Sequence, residues 1–188
     1  VLNSGAGVIN YTGHGSDYSF ATTGFDISNI NNLTNDGMWP FIWSVACVNG
    51  NFTSQTCFAE AWLRANMGTF DRPTGSVAAM MSTINQSWNP PMSAQDEFND
   101  ILIESYSTNI KRSFGGLSFN GCMLMNDEYG GQGYEMTDTW TLFGDPSVIV
   151  RTDNPAPMTV THANTLMMGA TSLDVNCNED DALVSLTV

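Results

Sequence analysis

Val8-Ile9-Asn10-Tyr11-Thr12-Gly13-His14-Gly15, answered further along by Pro40-Phe41-Ile42-Trp43-Ser44-Val45-Ala46-Cys47-Val48-Asn49-Gly50, decides how the rest is read. In each stretch a short apolar run stops at a turn containing glycine, the pattern of a buried strand. Residues 8–11 and 40–46 are therefore read as strands, with His14 and Cys47 among the first residues beyond them. In a parallel α/β sheet the carboxyl ends of neighbouring strands open on a common crevice, so an imidazole and a thiol distant in sequence meet there. A cysteine nucleophile needs that proximity to its base.

Outward from these strands the pattern continues as α/β. Residues 22–35 carry Ile27, Ile30 and Leu33 at helical spacing, and Gly37 punctuates the approach to the second strand. Residues 58–67 are mostly strong helix formers, and residues 76–83 form an apolar run without polar alternation. Strand, helix and strand in that order require a right-handed crossover and a parallel pair. Pro90 and Pro91 mark a loop, after which Ser93 is the expected cap of a helix bearing Phe98, Ile101, Leu102 and Tyr106. Another helix is expected after Gly116, with Leu117, Met123, Leu124 and Tyr129 apolar and its end at Gly130 and Gly131. Residues 140–143 are apolar, and the turn 144–147 is expected to deliver a last strand at 148–151. Residues 153–157, with two prolines, read as a linker. Beyond it, residues 158–161, 172–176 and 182–188 alternate like strands of a small β-sandwich. The domain expectation is 1–153 for the α/β part and 154–188 for the start of an immunoglobulin-like sandwich.

The bulk properties restrict the partners. With 188 residues and 42% apolar content the chain can bury a core of ordinary size. Five basic against 19 acidic residues give a net charge of −14, which disfavours nucleic acid and anionic membranes. That charge serves either solubility or the attraction of a cationic substrate. No apolar run reaches membrane-spanning length. The four cysteines, Cys47, Cys57, Cys122 and Cys177, form no CxxC pair, and with His14 and His162 as the two histidines a metal centre has few ligands. The chain opens at Val1 without a basic, apolar leader and reads as an internal piece.

The motifs around both strand ends resemble the gingipain family of secreted cysteine peptidases, closer to its arginine-specific branch. The resemblance runs in collinear order through Cys57-Phe58-Ala59-Glu60-Ala61, Ser82-Thr83-Ile84-Asn85-Gln86-Ser87-Trp88, Asn109-Ile110-Lys111-Arg112-Ser113-Phe114-Gly115-Gly116 and Asp138-Thr139-Trp140-Thr141-Leu142-Phe143-Gly144-Asp145-Pro146-Ser147. It implies a caspase-like fold, a mostly parallel sheet flanked by helices. It also implies a catalytic domain larger than this chain, with the His and Cys in its second half, so an upstream part is an expected partner.

On that footing Cys47 is the expected nucleophile and His14 its proton-transfer partner, against the plain alternative that Cys47 is a small buried hydrophobe. Gly15, which follows the histidine, and Cys47 are the expected N–H donors to the oxyanion. The resemblance implies that Trp88 packs along the aliphatic stem of an arginine at the P1 position, the rival reading being an ordinary partly buried tryptophan. Gln86, Val45 and Thr12 are secondary candidates for the pocket wall. The pocket acid and the carboxylate that orients the imidazole are expected upstream. Asp17 reads as part of a solvated turn or a calcium site, calcium being implied by the family although no EF-hand pattern occurs. No cofactor is expected for the chemistry. The implied activity is endopeptidase cleavage of protein or peptide substrates after arginine, less favourably lysine. The implied location is the exterior or surface of a bacterium, reached through a type IX-like system. Two rivals are a sortase-like transpeptidase using the same dyad and a non-catalytic adhesion module.

Overall fold

In the computed structural model, which describes residues 1–53, 55–68, 72–108, 110–152, 157–180, 182 and 184–185, the first stretch forms strand β1 (Val8–Thr12). Directly past His14 come β2 (Gly15–Ser16), β3 (Ser19–Phe20) and β4 (Phe25–Asp26), a small three-stranded antiparallel sheet. Helix α1 (Ile27–Asn31) follows, much shorter than the helix expected over 22–35. Its start is fixed by a capping box in which Asp26 accepts from the Asn29 N–H while the Asn29 side chain accepts from the Asp26 N–H, so the residues before it are free to pair as strand.

The second stretch forms β5 (Phe41–Val45), and Cys57 leads into α2 (Phe58–Arg64), which stops short of the expected Met67 because Ala65 is extended. After β6 (Ala78–Ser82) comes α3 (Asn89–Leu102). Pro90 and Pro91 lie in the first turn of α3 instead of in a loop, and Ser93 is inside the helix instead of capping it. The first-turn N–H groups have no intrahelical acceptor, so proline loses nothing there.

Helix α4 (Phe114–Tyr129) begins ahead of the expected Gly116, capped by Ser113, whose side chain accepts from the Gly116 N–H at 3.2 Å. It ends as expected at Gly130, with φ of 54°, but the chain turns at once into a helix absent from the sequence reading, α5 (Gly131–Thr139). Strand β7 (Trp140–Gly144) then closes the sheet. The strand expected at 148–151 is not formed. That segment instead clips the start of α4, with the Phe114 N–H donating to Val148 O at 2.9 Å and the Val150 N–H to Arg112 O at 2.7 Å.

The main sheet has the order β1-β5-β6-β7, with β1, β5 and β6 parallel and β7 antiparallel to β6. Both faces are covered, which explains why β5 and β6 read as continuous runs. Phe41, Trp43, Val45, Ala78 and Met80 pack on one face against Phe98, Ile101, Phe114, Leu117 and Met125 of α3 and α4. Ile42, Ala79 and Met81 pack on the other against Ile30, Phe58 and Trp62 of α1 and α2.

These elements belong to the compact unit Val1–Thr152, and a second unit comprises Asp153–Val188. In the second, β8 (Val160–His162) pairs antiparallel with β9 (Val175–Cys177). Of the third strand expected over 182–188, residues 183 and 186–188 lie outside the described residues, as do 153–156 of the expected linker and Asn109 of its motif. Among the described residues no helix is long and apolar enough to cross a membrane.

Candidate active site

The parallel register of β1 and β5 aligns Thr12 with Val45, so the turns leaving the two strands emerge side by side. The Gly13 N–H donates to Val45 O at 3.1 Å, tying the residue before His14 to the strand that ends ahead of Cys47. His14 is exposed, and its backbone is held from both directions: the Tyr11 hydroxyl donates to His14 O at 2.8 Å, and the His14 N–H donates to Thr22 Oγ1 at 2.8 Å. One residue further, a methyl group added at Gly15 would fall 2.5 Å from Cys47 O. Only glycine permits so close an approach of the two backbones. The His and Cys turns are therefore in van der Waals contact.

Cys47 is half-buried, with Sγ 3.9 Å from Gln86 O. It shares a narrow cleft with Gly13, Val45, Ala46, Gln86, Ser87 and Trp88. Gln86 is buried and accepts from the Ala46 N–H at 3.0 Å, which braces the peptide immediately before the thiol. The His14 ring meets the 46% exposed Trp88 edge-on, with centroids 5.4 Å apart. Cys47, Trp88 and His14 are thus joined through one rim. Val45 also lines the cleft, whereas Thr12 does not: its hydroxyl donates to Gln95 Oε1 at 2.6 Å.

The other thiols of the first unit are of a different kind. Burial raises the Cys57 thiol above its ordinary value and pushes that of Cys122 up to about 11, so both stay protonated in the core. Asp17 sits in the β2–β3 turn with Oδ1 accepting from Asn51 Nδ2 at 3.0 Å. Among the described residues no three His, Cys, Asp or Glu side chains converge, so no carboxylate cluster suited to calcium is present there. Nor, among the described residues, does a carboxylate hydrogen-bond to the His14 ring.

The sequence reading missed the side chains that hold these turns together. Gln95, from α3, accepts from Thr12 and donates to Tyr11 O at 3.0 Å, and Asn49, fully buried, reaches from the Cys47 turn to the hairpin beyond His14. A buried amide has no signature in local sequence pattern.

Residues 1–151 match the family described as peptidase family C25. The chain belongs to peptidase family C25. Gingipain R2 of Porphyromonas gingivalis is 47% identical over 99% of this chain. Lys-gingipain of the same species is 32% identical over 46% of it, so this family member stands nearer the R-type sequences. The crystal structure of the Arg-specific cysteine proteinase gingipain R superposes with a TM-score of 0.83 at 47% identity, over 95% of this chain. The α/β fold of a parallel sheet flanked by helices is that of this C25 structure. The chain spans about a quarter of the length of gingipain R2, 25%, and 41% of the solved chain.

Proposed function

We propose that this chain carries the Cys-His dyad of a cysteine endopeptidase that cleaves proteins after arginine. The observation that carries the reading is the single rim at which the half-buried Cys47, the Gly15 backbone, the His14 ring and Trp88 converge. Family membership supports the reaction class, and likeness to the Arg-specific proteinase gingipain R, 47% identical, supports the choice of arginine.

In this mechanism the Cys47 thiol gives its proton to the His14 imidazole, and the thiolate adds to the substrate carbonyl carbon. The oxyanion so formed accepts from the Gly15 and Cys47 N–H groups, which are backbone donors fixed before reaction begins. His14 then returns the proton to the departing amine as the C–N bond breaks, leaving a thioester on Cys47. Water, deprotonated by His14, hydrolyses the thioester and regenerates the thiol. Trp88 offers an indole face to the aliphatic stem and guanidinium of the P1 side chain. The net charge of −14 supports attraction of a cationic substrate.

The complete protein extends this reading. The acid that pairs with the guanidinium and the carboxylate that orients the imidazole belong to a part of the catalytic domain outside this chain. Residues beyond Thr152 begin an immunoglobulin-like domain, and the protein acts outside the bacterial cell. The test is Cys47→Ala in the complete protein, together with an arginyl chloromethylketone mapped by mass spectrometry. Cleavage is expected to cease with the fold intact and the label to sit on Cys47. Labelling of Cys57, or activity that survives Cys47→Ala, overturns the assignment. Amine-ligated products in place of hydrolysis would convert it to transpeptidation.

A further inference from the structure

Asn49 lies two residues beyond Cys47 and is wholly buried, at 0% exposure, with every polar atom of its side chain engaged. Its Nδ2 donates to Ser16 O at 2.7 Å and to Ser19 O at 2.9 Å, and its Oδ1 accepts from Ser44 Oγ at 3.1 Å. Two carbonyl oxygens accept only from a donor, so the amide has one possible orientation. Its own carbonyl accepts from the Ala59 N–H at 3.0 Å, anchoring the residue to the start of α2.

The consequence lies in what these bonds connect. Ser16 and Ser19 belong to the β2–β3 hairpin that opens one residue beyond His14, while Ser44 and Asn49 flank Cys47. His14 is thereby bracketed: Gly13 is tied to Val45 on one side, and Ser16 to Asn49 on the other. Between the ties, a methyl group at Gly15 would fall 2.5 Å from Cys47 O and 3.0 Å from Asn49 Nδ2. We propose that Asn49 is a positioning residue, whose carboxamide sets the His14–Gly15 segment against the Cys47 turn and so holds the imidazole and the Gly15 oxyanion donor in register with the thiol. The proposal rests on the peptidase reading above. Asn49, wholly buried, presents no surface to a substrate, so its effect is expected on kcat and not on KM.

The test uses Asn49→Ala and Asn49→Asp in the complete protein, with active sites counted by an arginyl chloromethylketone and turnover followed on an arginyl peptide. Because a displacement of about 1 Å in a reacting group costs on the order of 100-fold, kcat per titrated site is expected to fall about 100-fold in both variants, with KM within about twofold. Asn49→Asp keeps the shape but points oxygen at two carbonyl oxygens, so it is expected to be no better than Asn49→Ala. A side chain that only fills space would leave Asn49→Asp near wild type. Wild-type kcat per site, with only thermal stability or the titratable fraction reduced, overturns the proposal. Should the Asn49 variants fail to fold, Ser44→Ala removes the donor to Oδ1 alone and is expected to lower kcat about 2- to 10-fold at constant KM. An unchanged kcat in that variant overturns it equally. Failure of the unmodified protein to label at Cys47 or to cleave the peptide would instead strike the peptidase reading.

Discussion

Under the proposed function, His14 and Cys47 illustrate how little of a reacting pair resides in the two side chains. The imidazole is exposed and the thiol half-buried, and their geometry is set by neighbours with no chemistry of their own: Gly13, Gly15, Tyr11, Thr22 and Asn49. Sequence reading singled out His14, Cys47 and Gly15 at the turns that end two strands, and the structure brings those turns together. That reading missed Asn49 and Gln95 because their work is done through buried amides whose partners are far along the chain. Trp88 is a further case in which context matters, since its ring leans on His14 with 46% of its surface still open. Under the proposed function, Trp88→Ala removes the surface on which the P1 stem rests while leaving Asn49, Gly15 and the thiol in place. Loss of one cation–π contact is expected to raise KM for an arginyl peptide about tenfold. Steady-state kinetics read this directly, and an unchanged KM would leave Trp88 as an ordinary surface aromatic.

Among the strands and helices, β5 and β6 were legible because strands covered on both faces need uninterrupted apolar runs, and β1 because its short run stops at a glycine-containing turn. Helix ends were less so, since a proline pair serves a first turn as well as a loop and only packing distinguishes the two. α5 escaped for a related reason, and with it the antiparallel pairing of the apolar run that forms β7. Gly130 marks the end of α4 correctly, but nothing local says that a second helix starts at Gly131 and carries the chain back to pair antiparallel with β6. The α3–α4 pair behind the site depends on close approach at Gly121, where an added methyl group would overlap the Phe98 ring and come within 2.6 Å of Ala94 O. Gly121→Ala is expected to destabilise the fold by about 1–3 kcal/mol, because both obstacles lie in a packed core. Urea denaturation followed by tryptophan fluorescence would show the lower midpoint.

Stability of the protein against alkali follows from burial of its thiols. The Cys122 thiol is raised by burial, in part offset by a hydrogen bond with Thr137, from an ordinary 9.0 to about 11. A folded-state value above the unfolded one means that the folded chain holds its proton more tightly. The stabilisation is fully present below pH about 9 and is lost as pH rises through about 11. Cys122→Ala is expected to make the decline in melting temperature between these limits shallower, which a series of thermal melts would reveal. Stretches of the chain fixed the class of fold: short apolar runs, the first two stopping at glycine-containing turns, read as strands of an α/β sheet, and the ends of such strands in parallel meet at one crevice. The motifs at those ends marked which imidazole and which thiol to expect there. What awaited the folded chain was the joining of those turns, with Asn49 between Ser44 and the Ser16–Ser19 hairpin, Gln95 on Tyr11 and Thr12, and β7 reversed against β6. Apolar patterning is written locally because burial acts residue by residue along a strand or helix. A hydrogen bond between distant segments acquires its partners only when packing has already brought them together.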